Sequence, residues 1–295
     1  MFSTLSNWGR WGENDELGTL NYIQHRQLAD AVALIREGTA VGCQRQISAN
    51  PVPAFPREAQ RLMVSTGESA PKQGEGFASE WLTLHFHGTS ITHVDSLGHA
   101  FWNGLLFGGK EASSVGVTDG ARFGSIAALG GAGILCRGVL VDLPRSQGRE
   151  FLDPGELVQP DCLLRCCEAE SVELRSGDAL LVRTGRDKAK ARLAQSPERF
   201  SGLDPACLPL IHEREISILG SDGISDATLP GEPELKFPIH QIGITAMGLW
   251  LIDNLEVEQL AAECERRGTW EFCLIVAPLN IAGATASAVN PLAIF

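Results

Sequence analysis

Residues 81–104 read WLTLHFHGTSITHVDSLGHAFWNG. They hold His85, His87, His93 and His99, four of the seven histidines in the chain, with Asp95 among them. Imidazole and carboxylate are the usual ligands of zinc, and they also suit manganese and iron. The same groups carry protons near neutral pH. Leu82, Leu84 and Phe86 alternate with Trp81, Thr83, His85 and His87, which is the period of a half-buried strand. That period turns the even-numbered residues toward a core and leaves His85 and His87 on the opposite face. Gly88 ends the strand and a loop follows. His93 and Asp95 are one residue apart, so in extended chain they point the same way and can grip one ion. Gly98 allows a turn or a close backbone approach just before His99.

The rest of the composition narrows the function. A net charge of −12 with no basic stripe argues against a nucleic-acid backbone or an anionic membrane as partner. No apolar run approaches a membrane span, and MFSTLSNWGRWGENDELG lacks the apolar core of an export signal. The eight cysteines are scattered without paired CxxC units, as suits buried reduced thiols in a cytoplasmic protein.

Outward from the histidine stretch, strand and helix patterns alternate. Helices are predicted over 24–37, 154–169, 187–194, 204–213, 238–247 and 256–267. Strands are predicted over 39–47, 134–143, 178–184, 216–220, 249–252 and 270–277. The class is therefore α/β, with no repeat or linker dividing residues 1–295. Residues 1–22 form an arm anchored by Trp8 and Trp11, and the Pro-, Gly- and Ser-rich residues 50–76 read as a long loop excursion. LGGAGIL at 129–135 precedes a strand instead of following one, so it is no dinucleotide-binding turn.

Thr92-His93-Val94-Asp95 and His99 match the second half of His-x-Gly-Thr-His-x-Asp-x-Pro-x-His, spacing included. The chain thereby resembles the cyclase family, which includes bacterial kynurenine formamidase and isatin hydrolase. Further likeness lies in GDALLVRTG (177–185), LGSDGISD (219–226), PIHQ (238–241), PLNIAGATASAVNPLAI (278–294) and the N-terminal WGENDELGTLN. The resemblance implies a mixed β core flanked by helices, as in kynurenine formamidase. It also implies that His93 and Asp95 bind metal, that His99 shuttles a proton and that His240 is a late ligand. Relatives place Glu or Gln twelve residues beyond that last histidine, whereas here Ile252 stands there and Asp253 follows. The first ligand position falls on Thr89, for which His87 is the natural substitute and His85 the rival. Leu97 replaces the family proline.

The expected site is thus His87, His93, Asp95, His240 and Asp253 around one or two zinc or manganese ions, with His99 as the catalytic proton carrier. Such an ion acidifies water and polarises a carbonyl, which suits hydrolysis of an aryl formamide, a cyclic amide or imide, or a lactone. Phe86, Phe101 and Trp102 flank the ligands and suggest a flat, aromatic small-molecule substrate. Two alternatives use the same residues: a metal-weak or metal-free cyclase, dehydratase or isomerase, and a non-catalytic binding protein. The resemblance further implies a homodimer or homotetramer, with the Trp8/Trp11 arm a candidate for exchange between subunits.

Overall fold

A computed structural model describes residues 1–48, 59–69, 74–193, 199–227 and 236–295. Strand β1 (Ala40–Gly42) lies at one edge of a nine-stranded sheet, while β2 (Ala59–Ser65) and β3 (Ser79–Leu84) form a two-stranded ribbon of their own. The sheet continues with β4 (His93–Asp95), β5 (Ile134–Asp142), β6 (Ala179–Arg183), β7 (Ile218–Ser221), β8 (Trp250–Asp253), β9 (Glu271–Val276), β10 (Ala286–Ala288) and β11 (Leu292–Ile294). Its order is β1-β11-β9-β5-β6-β7-β8-β4-β10. The run β5 to β8 is parallel, and every other neighbouring pair is antiparallel. Val139 to Val141 and Leu180 to Val182 are buried without alternation, as parallel strands covered on both faces require.

Helix α1 (His25–Val32) packs on β5 through Ala31. Helices α2 (Pro160–Ala169), α3 (Arg186–Leu193) and α4 (Glu258–Arg267) follow. Between α3 and α4 in sequence, residues Ile239–Met247 form a π-helix, which carries His240. Such wide turns are rare and gather at functional sites.

Several predicted elements are shorter than their sequence patterns. The first helix stops at Val32 instead of residue 37. The small Ala31 is its buried contact, while Leu28, Val32 and Ile35 are exposed. Only Ala40–Gly42 of the predicted 39–47 strand pairs. The predicted 154–169 helix begins at Pro160, whose missing N–H suits a first helical turn. Within the 50–76 excursion, residues 59–65 are strand β2, while 50–58 and 70–73 lie outside the described residues, as does Ala194 of the predicted 187–194 helix.

The largest correction concerns residues 81–87. Their alternation does not mark a core strand: β3 ends at Leu84, Trp81 is 71% exposed and Leu82 53%. Among the described residues no sheet lies behind the ribbon, so both faces are largely exposed.

The N-terminal arm docks on its own chain. Trp8 Nε1 donates to the Thr245 carbonyl at 2.7 Å, Asn7 Nδ2 donates to Met247 O at 2.9 Å, and Trp11 meets Tyr22 edge-on. Gly18 presses on Gly248 so closely that a Cβ would sit 2.3 Å from its carbonyl oxygen. Within the chain, Trp8 braces the π-helix that bears His240. All eight cysteines are free; burial pushes the Cys43 and Cys207 thiols up to about 12, which leaves them unreactive.

Glu170, after the last turn of α2, is buried, with Oε1 accepting from Asp142 N at 3.1 Å and Oε2 without a partner. Burial pushes its carboxyl up to about 7, from an ordinary value of 4.5. Between those values the native chain keeps a proton that the unfolded chain releases, so Glu170 makes stability fall as pH rises through that window. Urea melts of Glu170→Gln at pH 5 and pH 7.5 should show a smaller decline than the parent. An equal decline would show that Glu170 does not titrate there.

Candidate metal centre

The centre begins with strand register. β4 lies between β8 and β10, with His93 opposite Asp253 and Ala288, and Asp95 opposite Leu251 and Ala286. Directly opposed residues share a face, so His93, Asp95 and Asp253 project together. Val94 and Ile252 point the other way into the core. On the β10 side the neighbours of His93 and Asp95 are both alanines, which leaves space above the two ligands.

Four imidazoles surround the Asp95 carboxylate. His87 Nδ1 lies 3.0 Å from Oδ1 and His93 Nε2 3.6 Å from it. His240 Nε2 is 3.6 Å from Oδ2 and His99 Nε2 is 3.9 Å from it. Most of the rings are fixed from behind. His93 Nδ1 donates to the Ile91 carbonyl at 2.8 Å, so its Nε2 presents a lone pair to the centre. His87 Nε2 meets Thr285 Oγ1 at 3.0 Å. His240 Nδ1 donates to Asp226 Oδ2 at 2.6 Å, and its Nε2 lies 3.2 Å from Asp253 Oδ2. His99 stacks on His87 at 3.8 Å between centroids.

The charges show what the cluster lacks. Asp95 is fully buried, yet neither carboxylate oxygen has a hydrogen-bond partner, and nor does His87 Nδ1. Burial would raise the Asp95 carboxyl, but the nearby imidazoles of His99, His93, His240 and His87 hold it well below the usual range. Burial likewise opposes charge on His240, yet the carboxylates of Asp253, Asp226 and Asp95 hold it well above the ordinary histidine range. The buried carboxylates draw positive charge to the middle of the cluster, which the His240 imidazolium supplies here and which a divalent cation would supply in its place. Two ligand sets sharing Asp95 have the compactness for an ion: His87, Asp95 and His99, and His93, Asp95 and Asp253. The residues therefore fit a divalent metal. His99 belongs to one of these sets as well as to the cavity wall, and burial pushes its imidazole down to about 4, so it is neutral at pH 7.

The cluster forms the floor of a cavity of about 350 Å³. All six residues named from sequence as ligands or proton carrier, His87, His93, Asp95, His99, His240 and Asp253, line it. Thr89 also reaches it, whereas His85 is exposed and does not. Of the three aromatic residues expected to touch substrate, only Phe101 lines the cavity. Trp102 is stacked against Phe2 of the N-terminal arm, and Phe86 is half-buried away from the cavity, one residue out of phase with His87. The wall is instead completed by Phe200, Ile224 and Phe237, which no local pattern marks.

Comparison with known proteins follows this geometry. The cyclase family model matches residues 29–226. The chain belongs to the cyclase family. Among solved structures it is similar to a novel cyclase at 27% identity and TM-score 0.89, covering 100% of this chain and 99% of that one. It is similar in fold to an isatin hydrolase bound to the product analogue thioisatinate, at 23% identity and TM-score 0.61, covering 87% and 92% of the two chains. Isatin hydrolase A from Labrenzia aggregata, bound to benzyl benzoate, shares the fold at 20% identity and TM-score 0.62, covering 91% and 97%. No curated protein matches.

Within this cyclase-family chain the departures from the motif have a local shape. Thr89 stands at the position of the first family histidine, and the imidazole nearest to Asp95 is that of His87. Asp253, one residue late by sequence, is brought beside His93 by the β4–β8 register. Asp226 has no role assigned from sequence, although it lies in the quoted LGSDGISD segment. Fully buried, it accepts from Ile239 N, His240 N and His240 Nδ1, the placement of a carboxylate that orients a histidine of the candidate centre. Asp226→Asn removes the charge and keeps the shape. Isothermal titration with Mn²⁺ should show affinity about 10- to 100-fold weaker, and unchanged affinity would exclude this role.

Proposed function

We propose that this cyclase-family chain is a metal-dependent hydrolase that opens a C–N bond of an aryl formamide, cyclic amide or imide, or the C–O bond of a lactone. The observation that carries the proposal is the unpartnered, buried Asp95 carboxylate ringed by His87, His93, His99 and His240 at the floor of a cavity. Zinc or manganese, as one or two ions, would be held by His87, His93, Asp95, His240 and Asp253. When bound, such an ion supplies Lewis acidity to a carbonyl and acidity to water.

The protein's own groups do the rest. His99, neutral at pH 7, has a lone pair with which to take the proton of the attacking water and return it to the leaving nitrogen, work worth about 10² to 10⁴ in rate. Asp226 fixes the His240 tautomer through Nδ1. Phe101, Phe200 and Phe237 offer flat apolar faces to a planar ring, and the cavity size is that of a small-molecule site. The isatin hydrolase neighbours support the assignment of a cyclic amide among the candidate substrates. We place the enzyme in the cytoplasm, in keeping with its free and mostly buried cysteines; among the described residues no helix is long and apolar enough to cross a membrane.

Exhaustive chelation should abolish turnover of isatin, N-formylkynurenine or a lactone, with recovery on adding Zn²⁺ or Mn²⁺. His93→Ala should lose both bound metal and activity. His99→Ala should keep metal at the His93, Asp95 and Asp253 set while kcat falls about 10² to 10⁴. Full activity after chelation, or in His93→Ala, would overturn the metal assignment. Chelation-resistant activity that His99→Ala removes would place a metal-free cyclase or isomerase in the pocket.

We also infer assembly into a homodimer or homotetramer through the β2–β3 ribbon, where Leu62, Val64, Trp81 and Leu82, with Phe77 just before β3, are each more than half exposed. An isolated two-stranded ribbon is marginal in water, and identical ribbons can cover one another about a two-fold axis. Light scattering should find an oligomer for the parent and a smaller species for Leu62→Ser/Trp81→Ser. A monomeric parent would refute the assembly.

A further inference from the structure

We propose that Arg186 and Asn254 are positioning residues that set the loop 88–92 between His87 and His93, and with it the direction of those two histidines; the proposal rests on the metal-dependent reading above. The loop is bounded by these two histidines and has little regular structure of its own. Its backbone groups are held by side chains from two other elements. Asn254 Nδ2 donates to the Gly88 carbonyl at 2.8 Å and to Ile91 O at 3.2 Å, and Arg186 Nη2 donates to the Thr89 carbonyl at 2.8 Å. Thr92 Oγ1 donates to the Asn254 carbonyl at 2.6 Å. Because Ile91 O also receives His93 Nδ1, the carbonyl that sets the His93 tautomer is itself placed by Asn254.

Arg186 decides which way the Asn254 amide faces. Its Nη1 donates to Asn254 Oδ1 at 2.7 Å, so Oδ1 is committed to the guanidinium and Nδ2 is turned toward the loop. The reverse orientation would set Oδ1 against the Gly88 and Ile91 carbonyls, acceptor against acceptor, and the amide N–H₂ against the arginine. Asn254 directly follows Asp253, is fully buried and holds a positive φ of 57°, a conformation Asn tolerates better than most residues. One residue therefore joins the Asp253 end of β8 to the His87–His93 loop.

Arg186 is equally constrained. Its guanidinium is buried, and its backbone N–H and Nη1 bond Asp222 Oδ2 and the Asp222 carbonyl at 3.0 and 3.3 Å. Asp222 is anchored in turn by Thr184 N, Thr184 Oγ1 and Gly185 N. The guanidinium also lies 5.1 Å from the centroid of Phe200, an aromatic wall of the cavity. A single buried cation thus touches both the loop between the ligands and the surface that would meet substrate. Arg186 is absent from the cavity lining, so it acts through these neighbours.

Asn254→Asp tests the orientation directly, because the new carboxylate keeps an acceptor for Arg186 and loses the donor to Gly88 and Ile91. Mn²⁺ titration should show a dissociation constant about 10- to 100-fold higher than the parent's. Arg186→Met should show a comparable loss, and Arg186→Lys a partial rescue. Arg137→Lys, at a buried ion pair with Asp178 and Glu271, serves as a destabilised control and should lower the melting temperature without changing Mn²⁺ affinity. Parental affinity in a folded Asn254→Asp protein would overturn the proposal. If Arg186→Met does not fold, Asn254→Asp and Arg186→Lys still decide the outcome. A parent that binds no Mn²⁺ or Zn²⁺ would instead overturn the metal-dependent reading.

Discussion

The arrangement depends on one buried carboxylate. Asp95 has no solvent exposure and no hydrogen-bond partner for either oxygen, and four imidazoles converge on it. An isolated ionised group in such a place costs several kcal/mol or more unless charge compensates it. Much of the surrounding structure supplies or directs that compensation. Backbone carbonyl, hydroxyl and second carboxylate each hold one ring, so the imidazole lone pairs and protons face inward instead of rotating freely.

That convergence follows from sheet register. A short strand between β8 and β10 puts alternate residues on one face, and the antiparallel pairing sets Asp253 beside His93. A one-residue slip would send both ligands of β4 into the apolar core. Val94 and Ile252, both fully buried on the opposite face, resist that slip through the apolar area it would expose. Core packing and the geometry of the candidate centre are thus fixed by the same pairing. The N-terminal arm contributes at a distance: Trp8 and Asn7 tie the end of the π-helix to the body, steadying the element from which His240 projects.

The departures from the family motif are absorbed by local geometry. Thr89 does not take the nearest place to Asp95; its carbonyl instead receives Arg186, while the preceding His87 reaches the carboxylate. Leu97, in place of proline, is wholly buried and contacts the close turn at Gly124. The lateness of Asp253 in sequence is immaterial because strand pairing, not chain distance, brings it to His93.

Residue types and short spacings determined the α/β class and the gathering of His87, His93, Asp95 and His99, since these depend on chemistry and period along the chain, whereas the candidacy of His240 came from the resemblance to the cyclase family. The chain also foretold that His93 and Asp95 would share a face, because extended backbone alternates sides. Tertiary structure decided what local pattern could not carry. Trp81 to Phe86 alternates like a core strand, yet burial needs a second layer, and among the described residues the ribbon has none. Asp226, Thr285, Phe200 and Phe237 lie far along the chain from the histidine stretch and reach the centre only through crossovers of the sheet. The amide of Asn254 faces the loop because a buried arginine leaves it no other hydrogen-bonded orientation, and that is a property of packing in three dimensions.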